Sequence, residues 1–192
     1  MTNSGGSADE SRAPVERPVV LVLMGVSGCG KSTVAALLAE SLGWPFEEGD
    51  ALHPQSNLDK MAAGHPLNDE DRQPWLAKVA DWVEERLDSG TDGLITCSAL
   101  KRSYRDVVNR RGSGVLFVYL AGTAELIAAQ LAARHGHFMP PALLDSQFEA
   151  LEEPTPDEPQ IRVGLGPAPA VIARHIVERL GLAGRTEGGR TT

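Results

Sequence analysis

Five short apolar runs punctuate the chain, and between them apolar residues recur at helical spacing. The first run, Val19-Val20-Leu21-Val22-Leu23-Met24, is unbroken and rich in β-branched residues, as expected of a strand buried on both faces of a parallel sheet. Trp44-Pro45-Phe46-Glu47-Glu48, Gly93-Leu94-Ile95-Thr96-Cys97, Val115-Leu116-Phe117-Val118-Tyr119-Leu120 and a weaker run over residues 161–165 predict four more strands. Val34, Leu37, Leu38 and Leu42 mark a helix that Gly43 stops, and residues 57–63 a short one that Gly64 stops. Trp75, Val79, Trp82, Val83 and Leu87 form the stripe of a longer helix closing near Gly90, so both tryptophans read as core. A polar helix is expected over residues 101–111. Another, capped by Thr123 and carrying Leu126, Ile127 and Leu131, should run to about residue 135. One follows over residues 142–151, and the last carries Ile172, Ile176 and Leu180. Strands alternating with helices predict a three-layer α/β fold: a five-stranded parallel sheet with helices on both faces, and ligands outside the carboxyl ends of its strands.

The first strand runs directly into Gly25-Val26-Ser27-Gly28-Cys29-Gly30-Lys31-Ser32, which fills every fixed position of the phosphate-loop pattern and opens the first helix. That chemistry needs those residues. Glycines let successive N–H groups turn inward, the helix start favours anions, Lys31 adds a cation reaching the β- and γ-phosphates, and Ser32 offers a hydroxyl to Mg2+. Gly25 through Ser32, with Thr33, are therefore the candidate nucleotide-binding residues. Arg134-His135-Gly136-His137-Phe138-Met139-Pro140-Pro141 has the Gly and Pro of a loop able to move.

Composition narrows the partners. Eighteen basic against 26 acidic residues give a net charge of −8, which opposes general affinity for nucleic acid or an anionic membrane, so an anionic substrate must meet a local basic site. Two cysteines, Cys29 and Cys97, make no disulfide framework and suit a reducing compartment. No run nears the roughly 20 apolar residues that span a bilayer, and a cytoplasmic location is expected. One domain over residues 18–182 is expected, with a disordered leader at 1–17 and tail at 183–192. A GTP switch would need N-K-x-D and D-x-x-G, and neither occurs.

From about residue 20 to residue 151 the chain resembles the gluconokinases of the thermoresistant type, relatives of shikimate kinase and the nucleoside monophosphate kinases. The likeness rests on the phosphate loop with Met24 and on Gly49-Asp50-Ala51-Leu52-His53-Pro54. It continues through Asn57, Lys60-Met61, Gly64 and Pro66-Leu67-Asn68-Asp69-Glu70-Asp71-Arg72 with Pro74-Trp75-Leu76. Cys97-Ser98-Ala99-Leu100-Lys101 with Tyr104-Arg105-Asp106, and Gly136-His137-Phe138-Met139-Pro140 with Gln147-Phe148-Glu149, complete it. The family usually has a small residue where Cys29 stands, and often an arginine where Gln130 stands, which leaves Arg134 as the main lid cation. The resemblance implies a P-loop kinase fold with a mobile lid over about residues 134–141, ATP- and Mg2+-dependent phosphorylation of D-gluconate at its 6-hydroxyl, and a homodimer; another small-molecule P-loop kinase, shikimate-like or acting on nucleotides, is the alternative.

On that reading Lys31, Asp50 and Arg134 are the catalytic candidates. Asp50, at the end of the second strand, either takes the proton of the substrate hydroxyl or caps the next turn. Glu48, two residues earlier on the same strand face, is the second metal candidate beside Ser32, because the third strand ends without a metal-directing aspartate. His53, Lys60, Arg72, Lys101 and Arg105, with Ser98 and His137, are the remaining gluconate candidates. About two of those first five are expected to be surface charges. His53 could instead serve a local carbonyl, and Arg134 could be an ordinary helix end. Asp69 and Asp71 could cap the long helix and hold Arg72.

Overall fold

The computed structural model describes residues 15–133 and 141–182. Its sheet takes the strands β1 (Val20–Met24), β2 (Phe46–Glu48), β3 (Gly93–Thr96), β4 (Val115–Ala121) and β5 (Gln160–Gly164) in the order β2-β3-β1-β4-β5, every neighbouring pair parallel. The crossovers are α1 (Lys31–Leu42), α2 (Gln55–Ala62), α3 (Asp69–Asp88), α4 (Arg102–Val108), α5 (Ala124–Ala133) and α6 (Pro141–Ala150); α7 (Pro169–Arg179) follows β5. β1 is central and buried throughout, which is why its sequence carries no polar alternation.

The period of two divides the core between the two faces of the sheet. Leu21, Leu23, Leu116, Val118 and Leu120 point to one side, where Val34 and Leu38 of α1 and Ile172 and Ile176 of α7 cover them. Val20, Val22, Met24, Phe117 and Tyr119 point to the other, beneath Trp75, Leu76, Val79 and Val83 of α3 and Tyr104 of α4. Trp75 is buried as expected, while Trp82 is only partly covered, with the Arg86 guanidinium over its ring. Local signals act where the sequence places them. Gly43 ends α1 in the left-handed region with its N–H on Ala39, and the Thr123 hydroxyl accepts from Leu126 N–H at the start of α5.

Three expectations are corrected. Residues 49–52 leave β2 as a 3-10 turn, Gly49–Leu52, so Asp50 does not share a strand face with Glu48. The α3 cap is Asn68, in a reciprocal capping box with Asp71, and Asp69 serves elsewhere. Arg17, assigned to a disordered leader, pairs with the buried Asp92 and lies 5.5 Å over the Trp44 ring. The rest of that leader up to residue 14, the tail, and residues 134–140 of the expected lid lie outside the described residues, while Pro141, its last residue, opens α6. Among the described residues no helix is long and apolar enough to cross a membrane.

Candidate active site

The phosphate half is one continuous segment between β1 and α1. Gly30 has φ 93° as N-cap of α1, and a Cβ there would meet nothing within 4 Å, so the loop presents its backbone to open space. Lys31 is anchored at the rim, its Nζ donating to Gly25 O and Val26 O at 3.0 and 3.1 Å. Ser32 and Thr33 are exposed at the helix start. Cys29 is buried, and its N–H donates to Val26 O at 3.3 Å within the loop. Gly25 N–H donates to Ser98 O, tying the loop to the end of β3 and using the Ser98 carbonyl for that purpose. Ser27 N–H donates to Oε1 of Gln147 at 2.6 Å, which joins α6 to the loop.

The acceptor half is assembled from four separate segments. At the end of β3, Thr96 donates its hydroxyl to Glu48 Oε2 at 2.6 Å and accepts from Gly49 N–H at 3.2 Å. Gly49 passes so close that a Cβ would lie 1.9 Å from Thr96 O, a position only glycine can hold. Trp75 Nε1 donates to Gly49 O at 2.7 Å, and its ring stacks on His53. The turn bearing the exposed Asp50 is thus gripped on both sides by buried groups. Burial lowers the pKa of His53, with Asp50 acting to raise it and Arg72 to lower it.

The cations of this half are mostly committed. Lys60 pairs with Asp71 at 2.5 Å, and Lys101 pairs with Asp69 at 2.8 Å while Tyr104 OH donates to the same carboxylate at 2.5 Å. These bonds hold both aspartates below the ordinary carboxylate range and Lys101 above the ordinary lysine range. Arg72 forms no close ion pair with Asp69 or Asp71, although its charge helps to lower the pKa of both; its guanidinium stands 5.9 Å over the Tyr104 ring.

Arg105 requires a correction. It was expected to touch substrate, yet it is 1% exposed and paired with Glu158 at 2.5 and 3.0 Å, with Nη1 donating to the carbonyls of Ala99, Leu100 and Glu152. Ala99 has φ 44°, a left-handed conformation in a non-glycine residue directly after β3. Arg105 braces that bend from behind. Cys97 is buried, its thiol pushed up to about 12 by burial, so it is no nucleophile at neutral pH. Arg134 and His137 lie outside the described residues. Thr96, Gln147 and the indole N–H of Trp75 were not foreseen as members of the site; Trp75 and Gln147 stand in the family blocks, and the polar Thr96 inside an apolar strand was the one signal beyond them.

Magnesium binds oxygen donors and commonly takes one or two carboxylates plus substrate phosphates. Ser32 and Glu48 fit that donor set, and Glu48 keeps Oε1 beyond the oxygen that Thr96 occupies. Among the described residues no group of three or more His, Cys, Asp or Glu could hold a metal unaided.

A family model described as shikimate kinase matches residues 27–155. The chain is 48% identical to the gluconokinase of Gluconobacter oxydans over 84% of its own length and 90% of that protein. It is 46% identical to the thermoresistant gluconokinase of Escherichia coli over 75% of its length and 82% of that protein. A crystal structure of a gluconokinase from Sinorhizobium meliloti superposes with a TM-score of 0.77 at 45% identity, covering 85% of this chain and 92% of that one. With the phosphate loop, the sheet order and these relatives in agreement, the chain belongs to the gluconokinase family.

Proposed function

We propose that this protein transfers the γ-phosphoryl group of ATP to the 6-hydroxyl of D-gluconate, giving 6-phosphogluconate and ADP. One observation carries the reading: the sheet order β2-β3-β1 sets the anion-binding loop after β1 and the braced turn after β2 at strand ends on either side of β3, and the Asp50 carboxylate of that turn and the Arg72 cation both act on His53. In-line transfer needs the attacking oxygen, phosphorus and leaving oxygen nearly collinear, with the charge on the phosphoryl oxygens neutralised. Loop N–H groups and Lys31 meet that charge. When Mg2+ is bound, Ser32 would ligate it beside the nucleotide and Glu48 would hold a water of its shell, and the ion would supply further neutralisation. Asp50 accepts the proton of the substrate hydroxyl.

Arg72 lies over a ring and supplies a cation for the gluconate carboxylate. Lys60, Lys101, His53 and Ser98 line the polyol, the two lysines oriented by Asp71 and Asp69. Arg134 closes over the phosphates with the lid, and His137 joins the acceptor contacts. ADP release measured across D-gluconate, shikimate and nucleoside monophosphates tests the reading: gluconate should give the highest kcat/KM by far. Faster turnover of shikimate or a nucleotide would replace it with the alternative kinase.

A further inference from the structure

One group in the acceptor half has its proton assigned by the hydrogen bonds around it. Asn57 is 3% exposed, and its Nδ2 lies 2.8 Å from the backbone oxygen of Asp71. A carbonyl can only accept, so this atom is the amide nitrogen; with the amide turned over, two oxygens would face each other. The same nitrogen stands 3.2 Å from His53 Nδ1 and has a second N–H to give. Nδ1 is then the acceptor, and a neutral imidazole with Nδ1 accepting carries its single proton on Nε2. The ring plane is fixed as well, stacked on Trp75 with centroids 4.3 Å apart and planes 13° apart.

We infer that Asn57 is a positioning residue that locks His53 in the Nε2–H tautomer, so that His53 meets the acceptor as a hydrogen-bond donor and not as its base. The charged groups facing the ring are Asp50 and Arg72; burial outweighs Asp50 and keeps the ring neutral at and above pH 7. Labour is thereby divided within one short segment: Asp50 accepts a proton, and His53 donates a hydrogen bond to an oxygen. A donor at this point favours an acceptor that turns hydroxyl or carboxylate lone pairs toward it. The inference rests on the proposed acceptor site.

The test is a long-range 1H–15N correlation on the full chain labelled at histidine, without gluconate, at about pH 8, above the ordinary histidine range. His53 is assigned by the signals lost in His53→Gln. Expected is a protonated Nε2 and a bare Nδ1; a protonated Nδ1, or two averaged nitrogens, overturns the inference. A carboxylate at position 57 can only accept, so Asn57→Asp should move the proton to Nδ1. It should also raise the gluconate KM roughly tenfold, the loss of one hydrogen bond, with the ATP KM unchanged. An unmoved proton in that folded variant overturns the positioning role, and the native-chain spectrum decides if the variant does not fold. An Nε2–H ring in a protein that never turns over gluconate would overturn the acceptor assignment alone, whereas gluconate turnover with an Nδ1–H ring would overturn the tautomer alone.

Discussion

The two halves of the site are built in opposite ways. The phosphate half is eight consecutive residues whose function lies in backbone geometry, and each needed conformation is written locally as a glycine or a helix start. The acceptor half is made of side chains whose roles are set by partners far away in sequence: Lys101 with Asp69, Thr96 with Glu48, Trp75 with Gly49, Arg105 with Glu158. A local site needs few braces, here Ser98 O on Gly25 N–H and Gln147 on Ser27 N–H; an assembled one fails when any brace is lost. Nucleotide use is therefore robust in this architecture, and acceptor choice is the adjustable property.

The contrast can be broken most severely at Arg105. Replacing it by alanine leaves Glu158 buried without its partner, and the unfolding free energy should fall by about 3–5 kcal/mol, read from urea denaturation. Burial pushes the Glu158 carboxyl up, but the Arg105 hydrogen bonds and the Thr155 N–H outweigh it and hold the pKa below its ordinary value. The sign follows: this stabilisation is complete above the ordinary glutamate pKa of about 4.3 and is lost as pH falls below it. Urea midpoints of Glu158→Gln should accordingly fall less steeply with acidification than those of the parent.

Lys31→Ala and Asp50→Asn sharpen the comparison from its two sides. Each should cut kcat roughly 10²- to 10³-fold with the urea midpoint unmoved. Titration calorimetry should show weakened ATP binding in Lys31→Ala and native ATP binding in Asp50→Asn. Trp75→Phe keeps an aromatic face against His53 but leaves Gly49 O without its donor. A loss of about 1–3 kcal/mol is expected, visible as a lower kcat/KM for gluconate with the ATP KM preserved. Smallest of all is Arg110→Ala: its ion pairs with Asp81 and Glu84 are exposed, and the urea midpoint should stay where it was.

The same contrast explains what the sequence made legible. Every strand and every helix was foreseen to within a few residues, because parallel strands and amphipathic helices leave periodic signals in single segments. The phosphate loop was legible for the same local reason. The acceptor side was foreseen as a pool of residues but not as a geometry. The five gluconate candidates proved to be a buried brace in Arg105, a ring-stacked cation in Arg72, two paired lysines and a stacked histidine. Nothing in the neighbours of Arg105 announces Glu158, 53 residues away. The 3-10 turn at Gly49–Leu52 was hidden too, since the close approach of Gly49 to Thr96 depends on strand pairing and not on composition.

The most direct test of the whole account is the identity of the product. When the purified chain is incubated with ATP, Mg2+ and D-gluconate, 31P and 13C NMR should show one new phosphate monoester, coupled to carbon 6, growing in step with ADP. ADP that accumulates without a phosphorylated sugar acid, or a phosphoryl group on any other carbon, would contradict it.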